Sequence, residues 1–151
     1  MAERTELTVI THLIQVCMDA EHGFRTAAEL VHNPALKTLF LDLAAQRARL
    51  VSELRPYLHR VGGQDVVEGT AAGTLHRRWM GIKDLMSGHR DNATLVEAER
   101  GERLATAAYK DALEGMLSPT VREVIERQQA EVQQADERIR AFDRPVPVAR
   151  A

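Results

Sequence analysis

Two glutamates occupy positions that helical periodicity otherwise gives to apolar side chains. Around Glu21 the series reads Ile10, Leu13, Cys17, Glu21, Phe24, Ala28, Val31, and around Glu102 it reads Leu95, Ala98, Glu102, Ala105, Tyr109, Ala112, Met116. Steps of three and four residues place each series on one helix face. A carboxylate on such a face leaves water, at a cost that only a cation, hydrogen bonds or a metal offsets. The chemistry to be settled is therefore a buried carboxylate layer, held either by arginine or by metal.

What meets these acids depends on the helices that carry them. Helix A is expected from about Glu6 to Val31, ended by Asn33-Pro34, because proline disfavours helix in the residue before it and suits the first turn of the next. Helix B follows from about Ala35 to Val61 with the stripe Leu36, Leu39, Phe40, Leu43, Arg47, Leu50, Leu54, Leu58, Val61. Pro56 removes one of its hydrogen bonds and is expected to bend it; Gly62-Gly63 stops it. The crossover, residues 63–91, contains a shorter helix over roughly Ala71 to Met86. Helix C is expected from about Asn92 to Leu117 and helix D from about Thr120 to Phe142, and residues 144–151 read as a disordered tail after a single domain of residues 1–143.

Four long helices in two hairpins, joined by one long crossover, form the ferritin-like all-α bundle. A connection of about 28 residues can travel the length of the bundle and so make B and C parallel. The two halves echo each other weakly, residues 20–28 against 101–109, which puts Glu21 and Glu102 in equivalent places. Folding A on B about residue 33 sets Glu21 level with Arg47. Folding C on D about Ser118 sets Glu102 near Asp136. The expected core polar layer is Glu21, Arg47, Glu102 and Asp136, with Gln46, Glu99 and Glu131 as the respective alternatives to the last three.

Two readings of that layer compete. A di-iron centre of the ferritin-like kind takes one Glu from each of two helices and a Glu-x-x-His from each of the others. Helices A and C supply glutamates, so Glu21, Glu99, Glu102 and Asp136 are the candidate ligands for iron or manganese. Helices B and D read Gln46-Arg47-Ala48-Arg49 and Glu131-Val132-Gln133-Gln134 at the matching positions, without histidine. The favoured reading is an ion-pair network, because the planar guanidinium of Arg47 suits a carboxylate and keeps its charge. No catalytic residue and no cofactor is expected on that reading.

Composition narrows the classes further. The chain has 151 residues, 44% hydrophobic and 28% charged, a net charge of −2 and one cysteine. Those values suit one soluble domain, give no field favouring nucleic acid, and exclude an internal disulfide. No apolar run reaches the roughly 20 residues that span a bilayer. The start, Met-Ala-Glu-Arg, lacks a secretory pattern, so a bacterial cytoplasmic location is expected. Walker, Rossmann and Cys-x-x-Cys patterns are absent. Trp79, beside His76, Arg77 and Arg78, is expected either to bury against the bundle or to anchor an interface between copies, a homodimer being the favoured assembly. His12, His22, His32 and His89 do not pair at ligand spacing and are expected on the surface or in loops.

Several motifs together resemble a known family. They are Leu13-Ile14-x-x-Cys17-x-Asp19-x-Glu21-x-Gly23-Phe24-x-x-Ala27-Ala28, Arg47-Ala48-Arg49-x-x-x-Glu53-Leu54, His76-Arg77-x-Trp79, Glu97-x-Glu99-Arg100-Gly101-Glu102 with Tyr109, Glu126-Arg127-Gln128 and Arg138-Ile139-Arg140. From about Leu7 to Phe142 the chain resembles the proteobacterial four-helix bundles of domain of unknown function 2383, which are related to rubrerythrins. The resemblance implies a ferritin-like fold, a link to stress and no established activity. Gly101-Glu102 looks like the rubrerythrin Gly-Glu step that supplies a metal ligand. Ala105 stands where those proteins place the next glutamate, and Asp136 stands where the family often has histidine.

Overall fold

The computed structural model describes residues 5–66 and 72–142, with the side chains of residues 72–75 and 87 left aside. The expected tail, residues 144–151, lies outside the described residues. Five helices follow in order: α1 (Glu6–Leu30), α2 (Pro34–Arg60), α3 (Ala72–Lys83), α4 (Ser87–Leu113) and α5 (Pro119–Arg140).

The helix ends have local chemical causes. Thr5 caps α1 through its side chain, Asn33 caps α2 by accepting from Ala35 and Leu36, and Ser118 caps α5 by accepting from Val121. Pro34 and Pro119 occupy first-turn positions, where a missing N–H costs nothing. Past α2, Gly62 adopts φ +82°, and the chain then passes so close to Leu58 that a Cβ on Gly63 would lie 2.3 Å from its side chain. Helix α2 runs continuously through Pro56, which is exposed. Helix α4 begins five residues before the expected Asn92 and ends at Leu113 rather than Leu117, with Glu114 as its C-cap and Gly115 following. The early start brings Asp91 to the α1–α2 turn, where its carboxylate accepts from the backbone N–H groups of His32 and Asn33 at 2.8 and 3.0 Å.

Contacts at the ends and middle of the bundle define its topology. Asp91 sits beside the α1–α2 turn, the N–H of Ser118 donates to Glu6 at 2.7 Å, and Asp42 lies 3.5 Å from Arg138. Helix α1 is therefore antiparallel to both α2 and α4, while α2 and α4 are parallel, as the long crossover requires. Helix α3 lies against α1 and α4.

The core divides into two apolar clusters stacked along the bundle. One includes Ile10, Leu13, Ile14, Leu50, Leu54, Ala112 and Ile125; the other includes Phe24, Ala28, Leu36, Phe40, Leu43, Trp79, Leu95 and Ile139. On α2, Arg47 falls between the last residue of one cluster, Ala44, and the first of the other, Leu50; on α4, Glu102 falls between Ala98 and Ala105. A polar layer thus separates two largely apolar clusters. Among the described residues, no helix is long and apolar enough to cross a membrane.

Candidate functional site

The mid-bundle layer is built on Arg47 and Glu102, which are 0% and 1% exposed. Arg47 Nη2 donates to Glu102 Oε2 at 2.6 Å. Arg47 Nε donates to Gln46 Oε1 at 3.2 Å, and the guanidinium carbon lies 5.3 Å from the centre of the Phe24 ring, in cation–π range. Nη1 is buried with no hydrogen-bond partner. The charge of Arg47 is therefore compensated on one side by a carboxylate and on another by an aromatic face.

Burial pushes the Glu102 carboxyl above its ordinary pKa, the charge and hydrogen bond of Arg47 pull it back, and Asp136 adds to the rise. For Arg47, burial works against the cation, but the charge and hydrogen bond of Glu102 outweigh it and raise its pKa. Arg47 therefore stays charged beside a carboxyl whose burial outweighs its partner's pull.

Of the other expected layer residues, Asp136 lies beside the pair and Glu21 does not. Glu21 is not brought into the layer: its side chain is 26% exposed and accepts from Arg25, one turn on, at 2.8 Å. The buried face of α1 passes through Cys17, Gly23, Phe24 and Ala27, which leaves Glu21 on its flank. There a solvated pair with Arg25 avoids the desolvation that burial would impose. Asp136 lies close enough for its charge to act on Glu102; Oδ2 pairs with Arg140 at 3.0 Å, and Oδ1 is buried without a partner. Glu99 is partly buried one turn before Glu102. Glu131 bonds Arg49 near the surface and offers its backbone carbonyl to Gln46 at 3.4 Å.

A second buried polar chain lies about two turns along α4, and of its members only Cys17 and Tyr109 stood on the two glutamate-bearing stripes read from the sequence. Tyr109 Oη donates to Gln128 Oε1 at 2.7 Å, which leaves the Cys17 thiol to donate to Tyr109 across 3.2 Å. Gln128 Nε2 donates to the Leu50 carbonyl at 3.2 Å and to Glu53 Oε1 at 3.1 Å. Burial raises the pKa of the Cys17 thiol, and raises that of the Tyr109 phenol well above its usual value. Both remain neutral at ordinary pH, so neither is an activated nucleophile. Glu53 is the outlet of this chain at the surface. Burial opposes its charge, but Gln128, Arg49 and Arg127 together lower its pKa. A glutamine three residues after Ile125 and four before Val132, both buried, was the available signal for this chain.

A carboxylate metal centre wants several anionic oxygens and neutral imidazoles converging on one point. Here Glu102 is engaged by a permanent cation, Glu21 turns away, and the histidines expected on the surface, His12, His22 and His89, are exposed. Among the described residues, no group of three or more His, Cys, Asp or Glu side chains is placed to hold a metal ion. The donor set does not fit a dinuclear carboxylate centre.

Trp79, weighed as an interface anchor, is 6% exposed and packs into the chain's own second cluster with Phe24, Leu95 and Ala98. A large ring on a short crossover helix buries most area by docking on the nearest apolar surface, here that of α1 and α4. It closes one side of a groove of about 290 Å³ that is also lined by Gly23, Phe24, Gly101, Glu102 and Ala105.

No curated protein sequence matches this chain. Among solved structures, the chain is similar to one from Thermotoga maritima described as a ferritin-like diiron-carboxylate protein, with a TM-score of 0.67 and 16% identity over 92% of this chain and 95% of that one. That likeness carries the fold: an all-α, ferritin-like bundle. Residues 5–115 match the model of domain of unknown function 2383, and the chain belongs to that family.

Proposed function

We propose that this protein is a non-catalytic ferritin-like bundle in which the Arg47–Glu102 ion pair takes the place of the carboxylate-held metals of diiron proteins, and that it acts by binding rather than by oxygen or redox chemistry. The observation that carries this reading is the guanidinium of Arg47, fully buried at mid-bundle and bonded to Glu102 at 2.6 Å. A fixed cation at that place repels Fe(II) or Mn(II) and occupies the carboxylate they would need. Such a layer also sets the register of two apolar half-cores, a role buried polar groups have in other bundles.

The reading is tested by elemental analysis after anaerobic purification and incubation with Fe(II), Mn(II) or Zn(II), with melting temperature followed in parallel. The expected result is substoichiometric metal and an unchanged melting temperature, since only a ligand bound to the folded state stabilises it. Near-stoichiometric metal that is lost in Glu102→Ala would overturn the reading. It would favour iron or manganese binding in which Asp136, with its unpartnered buried oxygen, joins Glu102.

A further inference from the structure

The groove between α1 and α4 is long and narrow. Its walls run from His12 to Gly23 on α1 and from Glu97 to Ala108 on the antiparallel α4. Each wall spans eleven residue steps, about 16 Å at the helical rise of about 1.5 Å per residue. The volume is about 290 Å³, so the mean cross-section is about 18 Å². Gly23, Gly101, Ala105 and Ala108 keep the space open, and Leu104 stands at its edge, 57% exposed.

A single hydrocarbon chain has these proportions. It advances about 1.25 Å per carbon, from a carbon–carbon bond near about 1.5 Å and a bond angle of about 111°. A protein cavity of roughly 150 Å³ holds benzene, which is about 25 Å³ per carbon. The length of the groove thus takes about thirteen carbons, and its volume takes about twelve. The two measures agree for an unbranched chain, whereas a compact ring system of equal volume needs a shorter, wider space.

The charges at the α3 end specify the head of such a molecule. Glu97 and Arg100 line that end and are paired at 2.9 Å. Arg78 on α3 lies 3.7 Å from the same carboxylate, beyond hydrogen-bond length, and its side chain is 44% exposed. Two guanidiniums therefore share one carboxylate, which leaves a positive charge in surplus. Asp19 lines the α1 wall four residue steps from Gly23, about 6 Å farther in. Glu102 lies at mid-groove, already paired with Arg47. An anionic head is repelled from the middle and attracted to the Arg78–Arg100 end.

We infer that this groove binds a single-chain fatty acid of about ten to twelve carbons, its hydrocarbon chain between α1 and α4 and its carboxylate at Arg78 and Arg100. This names a ligand class for the binding role proposed above, but it rests on the groove and not on whether the layer behind it excludes metal. Fatty-acid binding and metal content are measured separately, so either reading can fail alone.

The test is calorimetric titration of the full chain with hexanoate, octanoate, decanoate, dodecanoate and tetradecanoate below their micellar concentrations, and with decan-1-ol and adamantane-1-carboxylate. One equivalent is expected to bind. Affinity should rise about two- to four-fold per methylene up to dodecanoate and then level off, as a groove of fixed length requires. Decanoate should bind roughly two- to five-fold tighter than decan-1-ol, the range of a partly exposed ion pair. Arg78→Gln should erase that preference while decan-1-ol still binds. Adamantane-1-carboxylate, compact at a similar carbon count, should bind roughly ten-fold more weakly than decanoate or worse.

Gly101→Leu supplies a filling variant that is expected to fold. Gly101 lines the groove, a Cβ there meets nothing within 4 Å, and leucine is the better helix former. The leucine side chain fills about 100 Å³, so dodecanoate affinity should fall roughly ten-fold or more without a lower melting temperature. Absence of binding at millimolar decanoate, an affinity that ignores chain length, or a compact acid that binds as well as decanoate would each overturn the inference. So would a carboxylate preference that survives Arg78→Gln, or dodecanoate binding that survives Gly101→Leu. Binding to phosphatidylglycerol vesicles without binding of the free acids would make a bilayer surface the partner and overturn it as well. A dimer that ignores the acids and becomes monomeric on Gly101→Leu would make a second copy the occupant, with the same consequence.

Discussion

Replacing Arg47 with methionine keeps much of the side-chain volume and removes the cation bonded to Glu102. Both partners are essentially unexposed and sit 2.6 Å apart, so the carboxylate left behind has no access to solvent screening. Two unit charges at 4 Å interact by about 4 kcal/mol even at an effective dielectric constant near 20. Breaking one partner of a buried pair typically costs about 3–5 kcal/mol. For a chain of this length each kcal/mol moves the melting temperature by about 2–4 °C, so Arg47→Met should lower it by roughly 6–20 °C. Glu102 has one escape, which is to take a proton. Burial already raises its pKa, and without Arg47 nothing pulls it back. The folded variant then holds a proton that the unfolded chain releases above 4.5, so its stability should fall by up to about 1.4 kcal/mol per pH unit until the folded pKa is passed. A pure packing loss would show no such slope. Urea unfolding of wild type and Arg47→Met from pH 5 to 8 measures both effects, and adding Glu102→Leu should restore most of the stability. The ion-pair argument is refuted if Arg47→Met melts within about 2 °C of wild type at every pH.

Three further outcomes follow from the same geometry. In the wild type, the raised pKa of Glu102 gives a stability contribution that is full below 4.5 and is lost as pH rises through the folded value; unfolding from pH 4 to 7 should show this component vanish in Glu102→Gln and shrink in Asp136→Asn, which removes the like charge. Glu53 has the opposite sign: its lowered pKa contributes stability above 4.5 that is lost as pH falls through the folded value, so Glu53→Gln should flatten the acid limb of the same curves. Tyr109→Phe strands Gln128 Oε1 and should cost about 1–3 kcal/mol by denaturant unfolding, whereas Tyr109→Phe with Gln128→Leu should cost less than the two single changes summed, since the residues share one bond.

Glu102 and Arg47 were legible before any coordinates because charged residues on apolar stripes are conspicuous and loop positions set their heights. Glu21 carried the same signal and misled. Steps of three and four residues identify a stripe but not its edges, and on α1 the edge runs between Glu21 and Gly23. A long acidic side chain at such an edge turns toward water and the nearest arginine, here Arg25. The chain from Cys17 through Tyr109 and Gln128 to Glu53 was not legible beyond the apolar stripes that carry Cys17 and Tyr109, because hydrogen bonding depends on how high α4 sits against α5 and which rotamers meet.

Periodicity, the prolines at 34 and 119, the glycines at 62 and 63 and the length of the crossover were sufficient to determine five helices and their ferritin-like connection. These are local effects, fixed by backbone sterics and by which face of each helix must leave water. The tertiary structure alone decided that one glutamate rather than two enters the core, that Trp79 buries against its own bundle, and that small residues on α1 and α4 leave a groove between them. Each depends on the separation and rotation of helices distant in sequence, which no single helix encodes.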